Sequence, residues 1–267
     1  METAAVPGMP MDGAAGSVPS GMAGAGFSYP VFLDLSQRRC VVIGGGAMAA
    51  AKARELCDAG ARVVAVAAAP SAALDELERG GRLQLRRRGY RDGDLAGAFL
   101  AIAAGDDEEE REAVWREASR RGLPLNSVDD PRRCSFIAGA VVRRGALTIA
   151  VSTAGRAPAL AVRLRQWLEG KLGAELGRFL DLAATVRAPL ARRHPELALR
   201  RELWYRLVDS DALELLRRGD DAGARRRFEE ILGVAPESPE IPSPDLAAPE
   251  ALATADSHEA ILGGSRG

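Results

Sequence analysis

Apolar residues along the chain fall into short unbroken runs separated by segments of helix-forming composition. Cys40-Val41-Val42-Ile43 is apolar throughout, the pattern of a strand buried on both faces of a parallel sheet. It runs straight into Gly44-Gly45-Gly46, and Ala47 to Ala59 then reads as a helix that stops at Gly60. A second apolar strand, Ala61 to Ala69, is ended by Pro70. Strand, glycine turn, helix and strand make one βαβ unit.

The alternation continues. Ser71 to Gly80 reads as a helix, Leu83-Gln84-Leu85 as a short strand and Phe99 to Ala104 as another apolar strand. Asp107 to Arg120 is a charged, exposed helix, and Leu123 to Asn126 closes the sheet. Tyr29 to Leu35 is an extended lead-in, and Arg86-Arg87-Arg88 reads as an exposed strand edge. After Asp129 the texture changes. Phe136 to Val142 and Leu147 to Ser152 form a hairpin-like pair around Arg143-Arg144-Gly145. Helices follow over Ala159 to Leu172 and on to Arg193, and the Arg- and Leu-rich stretch Pro195 to Leu232 is helical in pattern. The fold class is therefore α/β, an N-terminal Rossmann-type parallel sheet followed by a helical C-terminal region.

Composition narrows the function. Aromatics are 4% of the 267 residues, so the core rests on Ala, Val, Leu and Ile. The net charge of −1 offers no basic field for nucleic acid or an acidic membrane surface. No stretch is apolar for long enough to span a bilayer. Residues 1–28 lack a signal-peptide pattern and read as a flexible tail, as do residues 233–267. The three cysteines, Cys40, Cys57 and Cys134, have no zinc-site spacing, and Cys40 and Cys57 read as small buried residues of a reduced, cytoplasmic protein. With only His194 and His258 available, no metal site is expected.

Gly44-Gly45-Gly46-Ala47-Met48-Ala49 matches the G-x-G-x-x-G/A dinucleotide pattern. Gly44 permits the tight turn, Gly46 lets the backbone approach a pyrophosphate, and Ala49 lets helix and strand pack closely. The helix N-terminus offers free N–H groups and the positive end of its dipole. An Ala- and Gly-rich chain can also supply such a loop by composition, and it is the place between strand and helix that points to a nucleotide. The second strand ends at Ala67-Ala68-Ala69-Pro70 without the acidic residue that usually holds the ribose 2′-hydroxyl. The absence of a basic residue there favours NAD over NADP. The expected cofactor contacts are Gly44, Gly45, Gly46, Ala47, Met48, Ala68 and Ala69.

Five ordered motifs carry a resemblance: Tyr29-Pro-Val-Phe-Leu-Asp-Leu35, Ala101-Ile-Ala-Ala-Gly-Asp-Asp107, Asn126-Ser-Val-Asp-Asp-Pro131, Cys134-Ser-Phe-Ile137 and Ser152-Thr-Ala-Gly-Arg-Ala-Pro158. Over about Tyr29 to Arg193 the chain resembles the precorrin-2 dehydrogenase/sirohydrochlorin ferrochelatase family, the dehydrogenase module of siroheme synthases. The resemblance implies a Rossmann domain over 29–130, a dimerisation and substrate segment over 131–158, a helical domain over 159–232 and an intertwined homodimer. It implies NAD as hydride acceptor, a tetrapyrrole substrate and an essential aspartate at Asp129. Thr153 occupies a motif that carries a regulatory phosphoserine in some siroheme synthases. A methyltransferase domain follows in the fused enzymes, and this chain ends before one. The chain departs from the family pattern at Gly139, where proline is usual, at Arg143-Arg144, where Asp-Arg is common, and within Glu108 to Arg111.

The implied reaction removes a hydride and a proton from precorrin-2 to give sirohydrochlorin, and a carboxylate is a suitable proton acceptor. Read from residues alone, Asp129-Asp130-Pro131 is only a turn or helix cap, and it is the family pattern that favours catalysis. The substrate candidates are Asn126, Ser135, Thr153, Gly155 and Arg156, with Arg132, Arg133 and Arg163 as further cations for a polycarboxylate. The alternatives are a bifunctional enzyme that also inserts iron, a non-catalytic NAD- or tetrapyrrole-binding regulator, and an unrelated Rossmann dehydrogenase.

Overall fold

The computed structural model describes residues 29–237, so the expected tail over 1–28 and nearly all of that over 233–267 lie outside the described residues. Two compact units are present. One comprises 29–138 with 154–157, and the other comprises 139–153 with 158–237.

The first unit is a five-stranded, wholly parallel sheet in the order β3-β2-β1-β4-β5. Its strands are β1 (Arg39–Ile43), β2 (Arg62–Val66), β3 (Leu83–Arg86), β4 (Leu100–Ala103) and β5 (Leu125–Ser127), and its helices are α1 (Ala47–Asp58), α2 (Ala72–Arg79) and α3 (Glu108–Arg121). The apolar runs are central strands because both faces are covered. Cys40 and Val42 point into a core shared with Ala49, Ala50 and Ala53 of α1, while Val41 and Ile43 pack with Val114 and Ala118 of α3. Alanines on α1 let the helix lie close to the sheet. Each buried Val or Ile contributes roughly 1.5–3 kcal/mol by leaving water, so β1, with three such residues beside the buried Cys40, anchors the unit.

Differences from the expected elements are local and have physical causes. Tyr29 to Leu35 forms no strand; Tyr29, Val31, Phe32 and Leu33 are exposed and only Leu35 enters the core. The strand expected from Phe136 starts at Ala140, because residues 134–136 bind instead to the edge of β5. β3 is an edge strand, but Arg86-Arg87-Arg88 is not a free basic edge. Arg86 and Arg88 bind the buried carboxylate of Asp94 at 2.6–2.7 Å, and Arg87 bridges Asp75 and Glu78 of α2. The hydrogen bonds from Arg88, joined by those from the Arg91 amide and Arg86, outweigh burial and hold Asp94 down at about 2. Glu117 of α3 is a second buried carboxylate. Burial pushes it up, but the Tyr90 hydroxyl, Arg121 and the Gly93 amide together keep it below the usual range.

The second unit begins with the antiparallel hairpin β6 (Ala140–Arg144) and β7 (Leu147–Val151), followed by α4 (Pro158–Lys171), α5 (Glu175–Arg193), α6 (Leu197–Val208), α7 (Ala212–Arg217) and α8 (Asp221–Leu232). The two departures from the family pattern in this hairpin have structural consequences. A Cβ on Gly139 would stand 2.7 Å from the Val151 carbonyl oxygen, so the backbone there closes on a residue without a side chain. Arg144 reaches over α4 and donates to the carbonyls of Leu172 and Glu169 at 2.7 Å each, satisfying acceptors that a helix C-terminus leaves open. The helical core forms where α5 presents Phe179, Leu182, Val186 and Leu190 at spacings of three and four, against Leu207, Leu216 and Phe228. The Phe179 and Phe228 rings meet at 5.1 Å in a tilted pair.

Candidate active site

The parallel sheet changes direction of winding between β1 and β4, and the crevice outside their carboxyl ends is where open α/β sheets bind ligands. The glycine turn sits there. Gly44 has φ +126, and a Cβ on it would meet the Ala104 carbonyl at 2.7 Å, so glycine is obligatory where β1 passes the end of β4. Gly45 is tighter still. Its carbonyl accepts from the Ser71 amide at 2.8 Å, and a Cβ would lie 2.1 Å from the Ala69 carbonyl oxygen. Gly46 is the opposite case, with nothing within 4 Å of a Cβ position.

That open space faces the start of α1. Gly46 is the N-cap, no side chain caps the helix, and no acidic residue stands in its first turn. Ala47 and Met48 at the helix start are exposed, as are Ala68 and Ala69 at the end of β2. Unfilled room, uncapped N–H groups and a positive helix end in one place fit a diphosphate. The turn, Ala68 and Ala69 are thus brought together as neighbours, joined by the Gly45–Ala69 approach.

Asp129 stands at the same carboxyl edge, two residues after β5, with exposed side chain and left-handed backbone at φ 61. Its neighbours are firmly held. Asn126 is buried and its amide donates to the Phe136 carbonyl at 3.1 Å; Ser135 accepts from the Leu125 amide at 2.8 Å. Both side chains fasten residues 134–136 to β5. Arg133 is held by three carboxylates, Asp130, Glu108 and Glu112, at 2.5–3.1 Å, while Arg132 beside it is exposed and makes no ion pair among the described residues. These residues, with Trp115, line a cavity of about 320 Å³. Arg163 donates to Gln166.

Thr153, Gly155 and Arg156 lie on the loop from β7 to α4, with Ala154 and Gly155 both left-handed (φ 51 and 74) and Arg156 exposed. Sequence reasoning missed Cys134, whose buried thiol meets the backbone on both sides of Asp129, and the Asp94 cluster. Nothing in residue type or spacing marks either. Among the described residues, no three His, Cys, Asp or Glu side chains gather as a metal-binding group, and no helix is long and apolar enough to cross a membrane.

A glycine turn feeding a bare helix end at the switch point of a doubly wound sheet defines an NAD(P)-binding protein of the Rossmann class. Comparison with known proteins then shows what the chain is similar to. Residues 31–140 match an NAD(P)-binding family model, 144–171 the sirohaem biosynthesis protein central region, and 175–232 the sirohaem synthase dimerisation region. The chain is 41% identical over 210 residues to the siroheme synthase of Azotobacter vinelandii, covering 78% of this chain and 45% of that protein. It is 41% identical over 203 residues to the siroheme synthase of Pseudomonas aeruginosa, covering 76% and 44%. The chain is thus similar to siroheme synthases over three quarters of its own length, and it spans just under half the length of these relatives. The solved structure of SirC, a precorrin-2 dehydrogenase, shares the fold with a TM-score of 0.65 at 23% identity, covering 78% of this chain and all of that one.

Proposed function

We propose that the protein is an NAD-dependent dehydrogenase that oxidises precorrin-2 to sirohydrochlorin as a homodimer, with Asp129 as its acid/base. The observation that carries this is the pairing, at one edge of one sheet, of a diphosphate-shaped glycine turn with a fixed, exposed aspartate. Bound NAD supplies the hydride acceptor. The chain's own residues do the rest. The α1 N-terminus and the space over Gly46 hold the diphosphate, and Ala68 and Ala69 leave room for the adenosine ribose. Asp129 takes the proton released as the hydride leaves, and its exposure lets that proton pass on to water. Asn126 and Ser135 fix the frame around it, while Arg132 and Arg156, which make no ion pair among the described residues, suit the substrate's carboxylates. Gly155 adjoins Arg156 on the same loop, and Thr153 is a substrate candidate from the resemblance alone.

Two further observations support parts of this reading. The cation following β3, Arg87, is neutralised by Asp75 and Glu78, so this guanidinium does not await a 2′-phosphate, which favours NAD. In the second unit the hairpin β6–β7 buries only Val142 on β6, and α4 exposes Leu160, Leu164 and Trp167 along one stripe. Such a stripe calls for a partner surface; a second copy supplies it.

The test is anaerobic incubation of the full chain with precorrin-2, with and without NAD, following the absorbance of sirohydrochlorin. NAD-dependent product supports the assignment. NAD binding without product from the wild type leaves a regulatory binding protein.

A further inference from the structure

β5 is an edge strand, and the outer edge of such a strand presents N–H and C=O groups that need partners. Here residues 134–136 replace the missing strand. The Ser135 amide donates to the Leu125 carbonyl at 2.8 Å, and the Leu125 amide donates to Ser135 Oγ at 2.8 Å. Two residues on, a side chain takes over. The Ser127 amide donates to Cys134 Sγ at 3.2 Å, and the thiol faces the carbonyls of Ser127 at 3.1 Å and Asp130 at 3.3 Å. A thiol has one proton, so it is shared between these carbonyls.

The Asn126 amide also donates to Cys134 Sγ at 3.7 Å, and the three backbone groups the sulfur meets bracket Asp129. Two belong to Ser127 and one to Asp130, directly after the left-handed residue. From the other side, Arg133 holds the Asp130 carboxylate at 2.5 Å and is itself anchored by Glu108 and Glu112 of α3. A left-handed backbone costs a residue with a Cβ roughly 1–2 kcal/mol, so the turn persists only while its flanks are fixed. We propose that Cys134 is a positioning residue for Asp129: its thiol ties the backbone before and after the turn and so aims the aspartate carboxylate at the substrate. The proposal rests on the reading of Asp129 as the acid/base. Cys134 is 4% exposed, and burial pushes its thiol up, so it stays protonated as the donor this role needs.

The experiment compares Cys134→Ala and Cys134→Ser with wild type, each also in an Asp129→Asn background, by kcat and KM for precorrin-2 and by NAD affinity. Cys134→Ala is expected to lower kcat about tenfold, the effect of a modest misplacement of a reacting group. KM and NAD affinity stay near wild type. Cys134→Ser recovers most of the rate, because a hydroxyl also accepts from Ser127 and donates to a carbonyl. In the Asp129→Asn background neither change lowers the residual rate further. An equal loss in both backgrounds, or a wild-type rate in Cys134→Ala, overturns the proposal. If Cys134→Ala melts below the assay temperature, the serine variant decides: wild-type kcat with the alanine variant unfolded assigns Cys134 to folding alone. Full activity of Asp129→Asn overturns the parent reading and this one with it, whereas an inactive Asp129→Asn beside a silent Cys134→Ala removes only the positioning role.

Discussion

The Ala69 carbonyl oxygen lies 2.1 Å from the point where a Cβ on Gly45 would stand, whereas the neighbouring Gly46 faces open space. Gly45 is thus required by the protein's own packing, whereas on the proposed function Gly46 leaves room for the cofactor diphosphate. Gly45→Ala should destabilise the fold by about 2–3 kcal/mol through overpacking against backbone that cannot yield. Gly46→Ala should leave the urea midpoint near wild type and weaken NAD binding by about tenfold or more, since its Cβ enters the space before the helix end. Denaturation curves and calorimetric titration of both variants check the split; the same loss of stability in both would contradict it.

Asp94 links the glycine-turn unit to acid stability. Its pKa is held at about 2 against an ordinary 3.8, chiefly by Arg88. A depressed carboxylate stabilises the fold fully above its unfolded value and loses that contribution as pH falls through the folded one. About 2 kcal/mol should therefore disappear between about pH 4 and pH 2. Asp94→Asn should cost about 3 kcal/mol at neutral pH, because Arg86 and Arg88 lose a buried counter-charge, and should flatten the acid limb. Urea midpoints across that pH range measure both effects.

Arg144 closes the C-terminal end of α4 through the carbonyls of Leu172 and Glu169. Arg144→Ala should remove about 1–2 kcal/mol and speed amide exchange in the last turn of α4. Arg144→Lys should recover little, because an ammonium cannot span two carbonyls as the guanidinium fork does. Equal stability of the lysine variant and wild type would argue against that geometry.

Leu164→Glu combined with Trp167→Glu should convert a dimer to a monomer in sedimentation, by placing charge on the exposed stripe of α4. A double variant that still sediments at twice the chain mass would move the proposed interface elsewhere.

The sheet was legible because its signals are local. Continuous apolar runs at Cys40–Ile43 and Phe99–Ala104, each bounded by glycine or charge, leave little choice but buried strands, and they appear as β1 and β4. The turn at Gly44–Gly46 was readable from its place between strand and helix. What escaped was set by long-range partners. Arg86 and Arg88 look like free surface charge until the chain folds Asp94 beneath them. Arg133 looks like a substrate cation until α3 brings Glu108 and Glu112 to it. Cys134 sits in the motif Cys134-Ser-Phe-Ile137, yet its contacts depend on an edge strand whose free groups no spacing reveals.

The most direct measurement is single-turnover oxidation of precorrin-2 under anaerobic conditions, following NADH and sirohydrochlorin together in wild type and Asp129→Ala. Wild type should yield equal molar amounts of both products. Neither should form from the variant at a comparable rate, although it binds NAD as tightly. Sirohydrochlorin appearing without NADH, or at the same rate in Asp129→Ala, would contradict the proposed function.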